Sequence, residues 1–187
     1  VVTVNPSPTA DAGPDAAICE GSSTTLSATA TGGSGNYSFS WDNGLGAGAN
    51  KTVSPAATTT YTVTVTDGSG CTDTDQVTVT VNDNPVVDAG PDVTICTGES
   101  TTLAASATGG DGNYAYNWDN GLGAGASHVV SPSQSTIYNV TVTDGNGCTD
   151  IDQVIVTVNP TPTADAGPDV SICNGESSTL TAGATGG

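Results

Sequence analysis

The sequence predicts an all-β chain made of tandem copies of a small two-layered sandwich. Three observations predict it. Apolar and polar residues alternate with period 2 along several runs. Turn residues recur every 8–12 positions. A unit of 77 residues repeats along the chain, with 52 identities between residues 7–83 and 84–160. Alternation is the mark of a half-buried strand, and a fixed period is the mark of a repeat architecture.

Each copy is read in chain order. Asp11-Ala-Gly-Pro-Asp15 returns at 88–92 and 165–169 and sets a Gly-Pro turn before an edge strand at Ala16–Cys19. Thr24–Thr31 alternates around Leu26, Ala28 and Ala30 and reads as one strand. Gly32-Gly-Ser-Gly-Asn36 turns the chain into Tyr37–Trp41, which places Tyr37, Phe39 and Trp41 on one face. Lys51–Pro55 is a shorter strand. Thr60–Thr66 puts Tyr61, Val63 and Val65 on one face, and Ile137–Thr143 repeats it with Tyr138, Val140 and Val142. Asp67-Gly-Ser-Gly70 is a hairpin signal leading into Gln76–Val81. No window shows a helical period. About seven short strands per copy point to a β-sandwich of the immunoglobulin type, with Trp41, Trp118, Tyr61 and Tyr138 as core aromatics.

The organisation follows from the period. Residues 1–5 match the last strand of a preceding repeat, 6–83 and 84–160 are complete repeats, and 161–187 begin a third. The chain reads as a window on a longer array of beads on a string, and any export signal is expected outside it. Neighbours this similar favour length or multivalency over catalysis.

Composition narrows the function. The 187 residues carry a formal charge of −18, with Lys51 the single basic residue apart from His128. One cation cannot neutralise a run of phosphates, which argues against nucleic acid as a partner. No apolar stretch approaches a membrane span. No histidine, serine or lysine is placed to act with a base, so the chain reads as non-catalytic, with no required cofactor. His128 stands where the other copy has Lys51 and is not a repeated position. Asn36, Asn50 and Asn139 open Asn-x-Ser/Thr triplets and are glycan acceptor candidates.

Five cysteines point to an oxidising, extracellular setting. Cys19 and Cys71 lie 52 residues apart, as do Cys96 and Cys148. These spacings lead to the pairs Cys19–Cys71 and Cys96–Cys148, with the partner of Cys173 outside these residues. The alternative is a bond between copies, Cys71 with Cys96. Zinc is disfavoured, because there is no Cys-x-x-Cys and one histidine.

The aspartates gather at two places per copy: Asp11, Asp15, Asp67, Asp73 and Asp75 in the first, and Asp88, Asp92, Asp144, Asp150 and Asp152 in the second. If the disulfides join the ends, these oxygens converge and would suit Ca²⁺. The competing reading makes them turn formers and solubilising charges.

The opening Asp-Ala-Gly-Pro-Asp, Ile95-Cys-Thr-Gly-Glu-Ser, the Tyr-x-Tyr-x-Trp118-Asp-Asn-Gly segment, and Tyr-x-Val-Thr-Val-Thr-Asp-Gly-Asn-Gly-Cys148 resemble polycystic-kidney-disease-type and related immunoglobulin-like repeats. The Cys-containing repeats of secreted surface adhesins of gliding bacteria are especially similar. The resemblance implies a seven-stranded sandwich, a secreted or cell-surface location, export by the type IX pathway, and spacer, adhesion or filament roles, with Ca²⁺ in some members. The family signature Trp-Asp-Phe-Gly-Asp-Gly lacks its second acid here, where the chain reads Trp118-Asp-Asn-Gly-Leu-Gly123.

The function expected is a structural repeat of an extracellular fibre or adhesin stalk. Its partners would be neighbouring repeats, other copies in a filament, and glycans. The alternative is a polysaccharide-binding or spacer module of a secreted enzyme.

Overall fold

The computed structural model describes residues 3–187. Part of the strand expected over residues 1–5 lies outside the described residues, and Thr3–Ser7 form no strand.

In the first copy nine strands follow in order: β1 (Pro8–Asp11), β2 (Ala16–Cys19), β3 (Thr24–Ser27), β4 (Thr29–Gly32), β5 (Ser38–Trp41), β6 (Gly46–Ala47), β7 (Asn50–Val53), β8 (Thr59–Thr66) and β9 (Thr72–Asn82). One layer is a five-stranded sheet in the order β2-β9-β8-β5-β6. The other is made of the pairs β1-β4 and β3-β7. All pairs are antiparallel except β2 with β9, which run parallel from Ala16↔Val79 to Cys19↔Asn82. The fold is an all-β, immunoglobulin-like sandwich.

The second copy repeats this order. Its strands are β10 (Pro85–Asp88), β11 (Val93–Cys96), β12 (Thr101–Ala104), β13 (Ser106–Gly109), β14 (Ala115–Trp118), β15 (Gly123–Ala124), β16 (Ser127–Val130), β17 (Thr136–Thr143) and β18 (Thr149–Asn159). Its sheet runs β11-β18-β17-β14-β15, with β11 and β18 parallel.

Alternation determines which side chains reach the core. Along β8, Tyr61, Val63 and Val65 are buried while the intervening threonines are not. Their outer face is laced by threonine pairs such as Thr60 with Thr78, 3.1 Å between hydroxyl oxygens. The first core gathers Ala12, Leu26, Trp41, Tyr61, Val63, Val77 and Val79. The second gathers Ile95, Leu103, Trp118, Tyr138, Val140, Val154 and Val156. Each fully buried aliphatic contributes about 1.5–3 kcal/mol relative to exposure.

Thr24–Thr31 is not one strand. It divides at Ala28: β3 pairs with β7 and β4 pairs with β1. The alternation survives the division, because Ala28 keeps its inward place and donates its N–H to the Ala49 carbonyl at 2.9 Å.

By proximity the described chain forms two compact units. The first holds the chain through Pro85 together with Gly109–Asn113 and Asp144–Cys148. The second holds Val86–Thr108, Tyr114–Thr143 and Thr149–Gly187. Within the latter, β19 (Thr163–Asp165) pairs with β20 (Gly183–Thr185), as β1 pairs with β4. Leu180 holds the place of Leu26 and Leu103, yet it is 76% exposed where they are 3% and 2%.

Candidate functional site

The cysteines carry the chemistry that distinguishes this chain. Within the first compact unit, Cys19 is bonded to Cys148, with Cα atoms 5.5 Å apart and 129 positions between them in sequence. Cys71, Cys96 and Cys173 are free thiols. This corrects the pairs Cys19–Cys71 and Cys96–Cys148, and the alternative Cys71–Cys96 does not form either.

The parallel register gives the reason. Cys19 lies opposite Asn82, the last residue of β9, whereas Cys71 immediately precedes its first residue, Thr72. Eleven residues of extended strand separate the two levels. At ~3.3 Å per residue that is about 35 Å, far beyond the ~7 Å limit between bridged Cα atoms. Cys96 opposite Asn159, and Cys148 before Thr149, stand in the same relation.

Cys148 is held by its hairpin. Its N–H donates to Asp144 Oδ1 at 2.8 Å, and its carbonyl accepts the Asp144 N–H at 2.9 Å. Cys71 is held identically by Asp67, at 2.9 Å in both bonds. Cys148 is 1% exposed, Cys71 is half-buried and Cys96 is exposed.

The aspartates serve the backbone. Asp73 and Asp75 accept the N–H groups of Ala10 and Ala12, each at 2.8 Å, and so tie β1 to β9. Asp150 and Asp152 do the same for Val87 and Ala89, at 2.9 and 2.8 Å. Asp15 accepts from Thr78 and Asp92 from Ile155, extending the parallel pairing by one more bond. Asp11 and Asp88 close their turns on Gly13 and Gly90. Asp67 accepts from Ser34, Ser69 and Cys71. Asp144 is likewise buried and accepts from Asp111, Asn146 and Cys148.

Amide bonds lower the proton affinity of three carboxyls, Asp67, Asp75 and Asp111. The Ser34 amide, ahead of those of Cys71 and Ser69, holds Asp67 below the usual carboxylate range against the opposing effect of burial. The amides of Ala12 and Gln76 do the same for Asp75, and those of Asn113 and Gly145 for Asp111. Burial, helped by the charge of Asp119, raises Tyr138.

Calcium does not fit this arrangement. At least one oxygen of each aspartate expected to converge already accepts a backbone amide. Among the described residues no three His, Cys, Asp or Glu side chains form a group able to hold a metal.

The Trp-Asp-Asn-Gly segment is a turn lock. Asp42 accepts the Thr62 N–H at 2.9 Å, and Asn43, at φ 49°, donates to the Thr60 carbonyl at 3.1 Å. Asp119 and Asn120 repeat this with Asn139 and Ile137. Asp42, Asp119 and Asp111 were not singled out by the spacing. Their signal is local: an Asp followed by a residue forced to positive φ, or by an Asn two positions on. Trp41, Trp118, Tyr61 and Tyr138 are between 2% and 6% exposed.

The remaining candidates lie apart. Asn36 and Asn50 are exposed, while Asn139 is half-buried and donates to Asp119 Oδ2 at 2.6 Å. None of the eight aromatic residues is exposed. A depression of ≈ 120 Å³ beside Pro91 and Leu103 is lined by no titratable group. The matching one in the first copy, ≈ 330 Å³, has Asp15 alone.

No family model matches the chain, and no curated protein matches it. Solved structures are similar. DIP-gamma IG1+IG2 shares 14% identity over 82% of this chain and 98% of that one, with a TM-score of 0.40. Sidekick-1 immunoglobulin domains 1-5 share 16% over 87% and 41%, with a TM-score of 0.46. The fibronectin(III)-like modules of Clostridium thermocellum CbhA share 15% over 82% and 94%, with a TM-score of 0.41.

Proposed function

We propose that the chain is a non-catalytic structural stretch of an extracellular fibre or cell-surface adhesin stalk. Its units would be the tandem repeats 6–83 and 84–160, of the polycystic-kidney-disease-like type that secreted bacterial surface proteins carry, with type IX export as the route. The Cys19–Cys148 bond carries the reading, because it joins two copies of one repeat covalently. A bond of that kind adds resistance to extension and persists in an oxidising compartment. Three further observations support it. The aspartates serve to hold strands together, as the bonds from Asp73, Asp75, Asp150 and Asp152 illustrate. No aromatic residue is exposed to stack on a sugar ring. No helix among the described residues is long and apolar enough to cross a membrane.

Electron microscopy of the native material tests the proposal. Regular fibres with one spacing repeated along the axis are expected. Short particles that remain monomeric at every concentration overturn the fibre reading.

A further inference from the structure

We infer that the cysteines obey one pairing rule, in which the first cysteine of each repeat bonds to the second cysteine of the repeat that follows. The Cys19–Cys148 bond is then one member of a series of identical staples, and Cys71 and Cys96 are halves of its neighbours. The inference rests on the reading of the chain as a tandem array.

Three observations lead to it. The two bonded positions recur in equivalent backbone settings. Cys19 is in parallel register with Asn82, and Cys96 with Asn159. The N–H groups of Glu20 and Thr97, next in the chain, donate to those same Asn82 and Asn159 carbonyls at 2.8 and 2.9 Å. Cys71 and Cys148 close the same hairpin on Asp67 and Asp144. Second, bonding within a repeat is closed to both pairs by the length of β9 and of β18. Third, the chain leaves each copy through an Asn-x-x-Pro stretch of one length, Asn82–Pro85 and Asn159–Pro162, so the relation that brings Cys148 to Cys19 is offered again after Asn159. The rule places the partner of Cys96 129 positions on, at 225.

Each staple forms by thiol–disulfide exchange with an external small disulfide, oxidised glutathione for example. One cysteine thiolate attacks it and expels a glutathione thiolate. The second cysteine thiolate attacks the mixed disulfide and expels the other. The two cysteines together give up two protons and two electrons, and the glutathione disulfide is reduced to two thiols.

The series changes how an array bears load. Neighbouring loops overlap, because the Cys19–Cys148 loop contains Cys96, the start of the next one. A pull crosses from Cys19 to Cys148 through sulfur, then along the chain to Cys173, then through sulfur again. Only the 25 positions from Cys148 to Cys173 are free to extend for every two repeats.

The test completes the third repeat. Gly187 is equivalent to Gly110, so a second copy of residues 111–160 appended after Gly187 puts a cysteine at 225. With Cys71→Ser in place, the chain is folded in a reduced/oxidised glutathione mixture. It is then cut with a Glu-specific protease after Glu20, Glu99 and Glu176, without reduction. Mass spectrometry is expected to find peptide 1–20 linked to 100–176, and 21–99 linked to the C-terminal peptide. A link between 100–176 and the C-terminal peptide, or between 21–99 and 100–176, overturns the rule. Folding is read separately, as protection of Leu180 amide hydrogen from exchange. Protection with wrong links defeats the rule alone; no protection defeats the tandem-array reading and the rule with it.

Discussion

Asp75 accepts the N–H of Ala12 at 2.8 Å across 63 positions of sequence, and Asp152 accepts that of Ala89 at the same distance and separation. Asp73 and Asp75 share the inward row of β9 with Val77 and Val79. A carboxylate on an apolar row needs donors, and β1 supplies them. Replacing Asp75 by Ala leaves the Ala12 amide without its charged acceptor. Hydrogen bonds to charged groups contribute about 1.5–3 kcal/mol. Asp75→Ala should lose about that much in a urea titration, and Asp75→Asn, which keeps one acceptor oxygen, clearly less.

Acid should act through the same bonds. Asp67, Asp75 and Asp111 have folded-state proton affinities held below the ordinary value of 3.8. A depressed carboxyl stabilises the fold above its unfolded pKa, and that contribution disappears as pH falls through the folded value. Stability should therefore be flat from pH 7 to about 5 and decline below about 4. Thermal unfolding across pH 2–7 checks this, and Asp67→Asn should flatten the acid limb.

Much of this was legible in the residues. The inward row Tyr61, Val63, Val65 and its echo Tyr138, Val140, Val142 needed only alternation to be read. The parity of Asp73 and Asp75 with Val77 was equally visible, and it marks them as inward carboxylates rather than a surface cluster. The cysteine pairing was not legible, because it turns on which end of β9 the short strand β2 pairs with. The register between strands distant in sequence is a long-range property that no local pattern encodes. With β2 opposite the last four residues of β9, Cys19 lies far from the hairpin end that holds Cys71. The division of Thr24–Thr31 was hidden for a related reason, since both halves keep one alternation while changing partners.

The two tryptophans should respond differently to one substitution. Trp118 Nε1 donates to the Gly125 carbonyl at 3.1 Å, whereas Trp41 Nε1 is buried with no partner. Phenylalanine removes the indole N–H from both sites. At position 118 it breaks a bond contributing about 1 kcal/mol; at 41 it relieves an unsatisfied donor. Trp118→Phe should be the more destabilising by about 1–2 kcal/mol in paired denaturant titrations, and equal losses would contradict the asymmetry.

Chelation should leave the fold unchanged. The Oδ2 atoms of Asp73, Asp75, Asp150 and Asp152 already accept amides. A melting temperature that is the same with millimolar EDTA as with millimolar Ca²⁺ is the expected result. A rise of several degrees with Ca²⁺ would show a cation gathering these oxygens.

The staple should be most visible under force. Pulled from its two ends, the oxidised chain conducts load from Cys19 to Cys148 through sulfur, and the intervening residues stay slack. Reduction, or Cys148→Ser, puts the whole 129-position span into the force path. At ~3.5 Å per residue this adds about 450 Å of contour length on complete unfolding. Bonds within the repeats would instead hide two spans of 52 positions, about 360 Å together. Single-molecule extension with and without reductant separates the two lengths. Cys71→Ser should leave the increment unaltered, because Cys71 is free; a loss of the increment in that variant would mean that Cys71 had taken the place of Cys148.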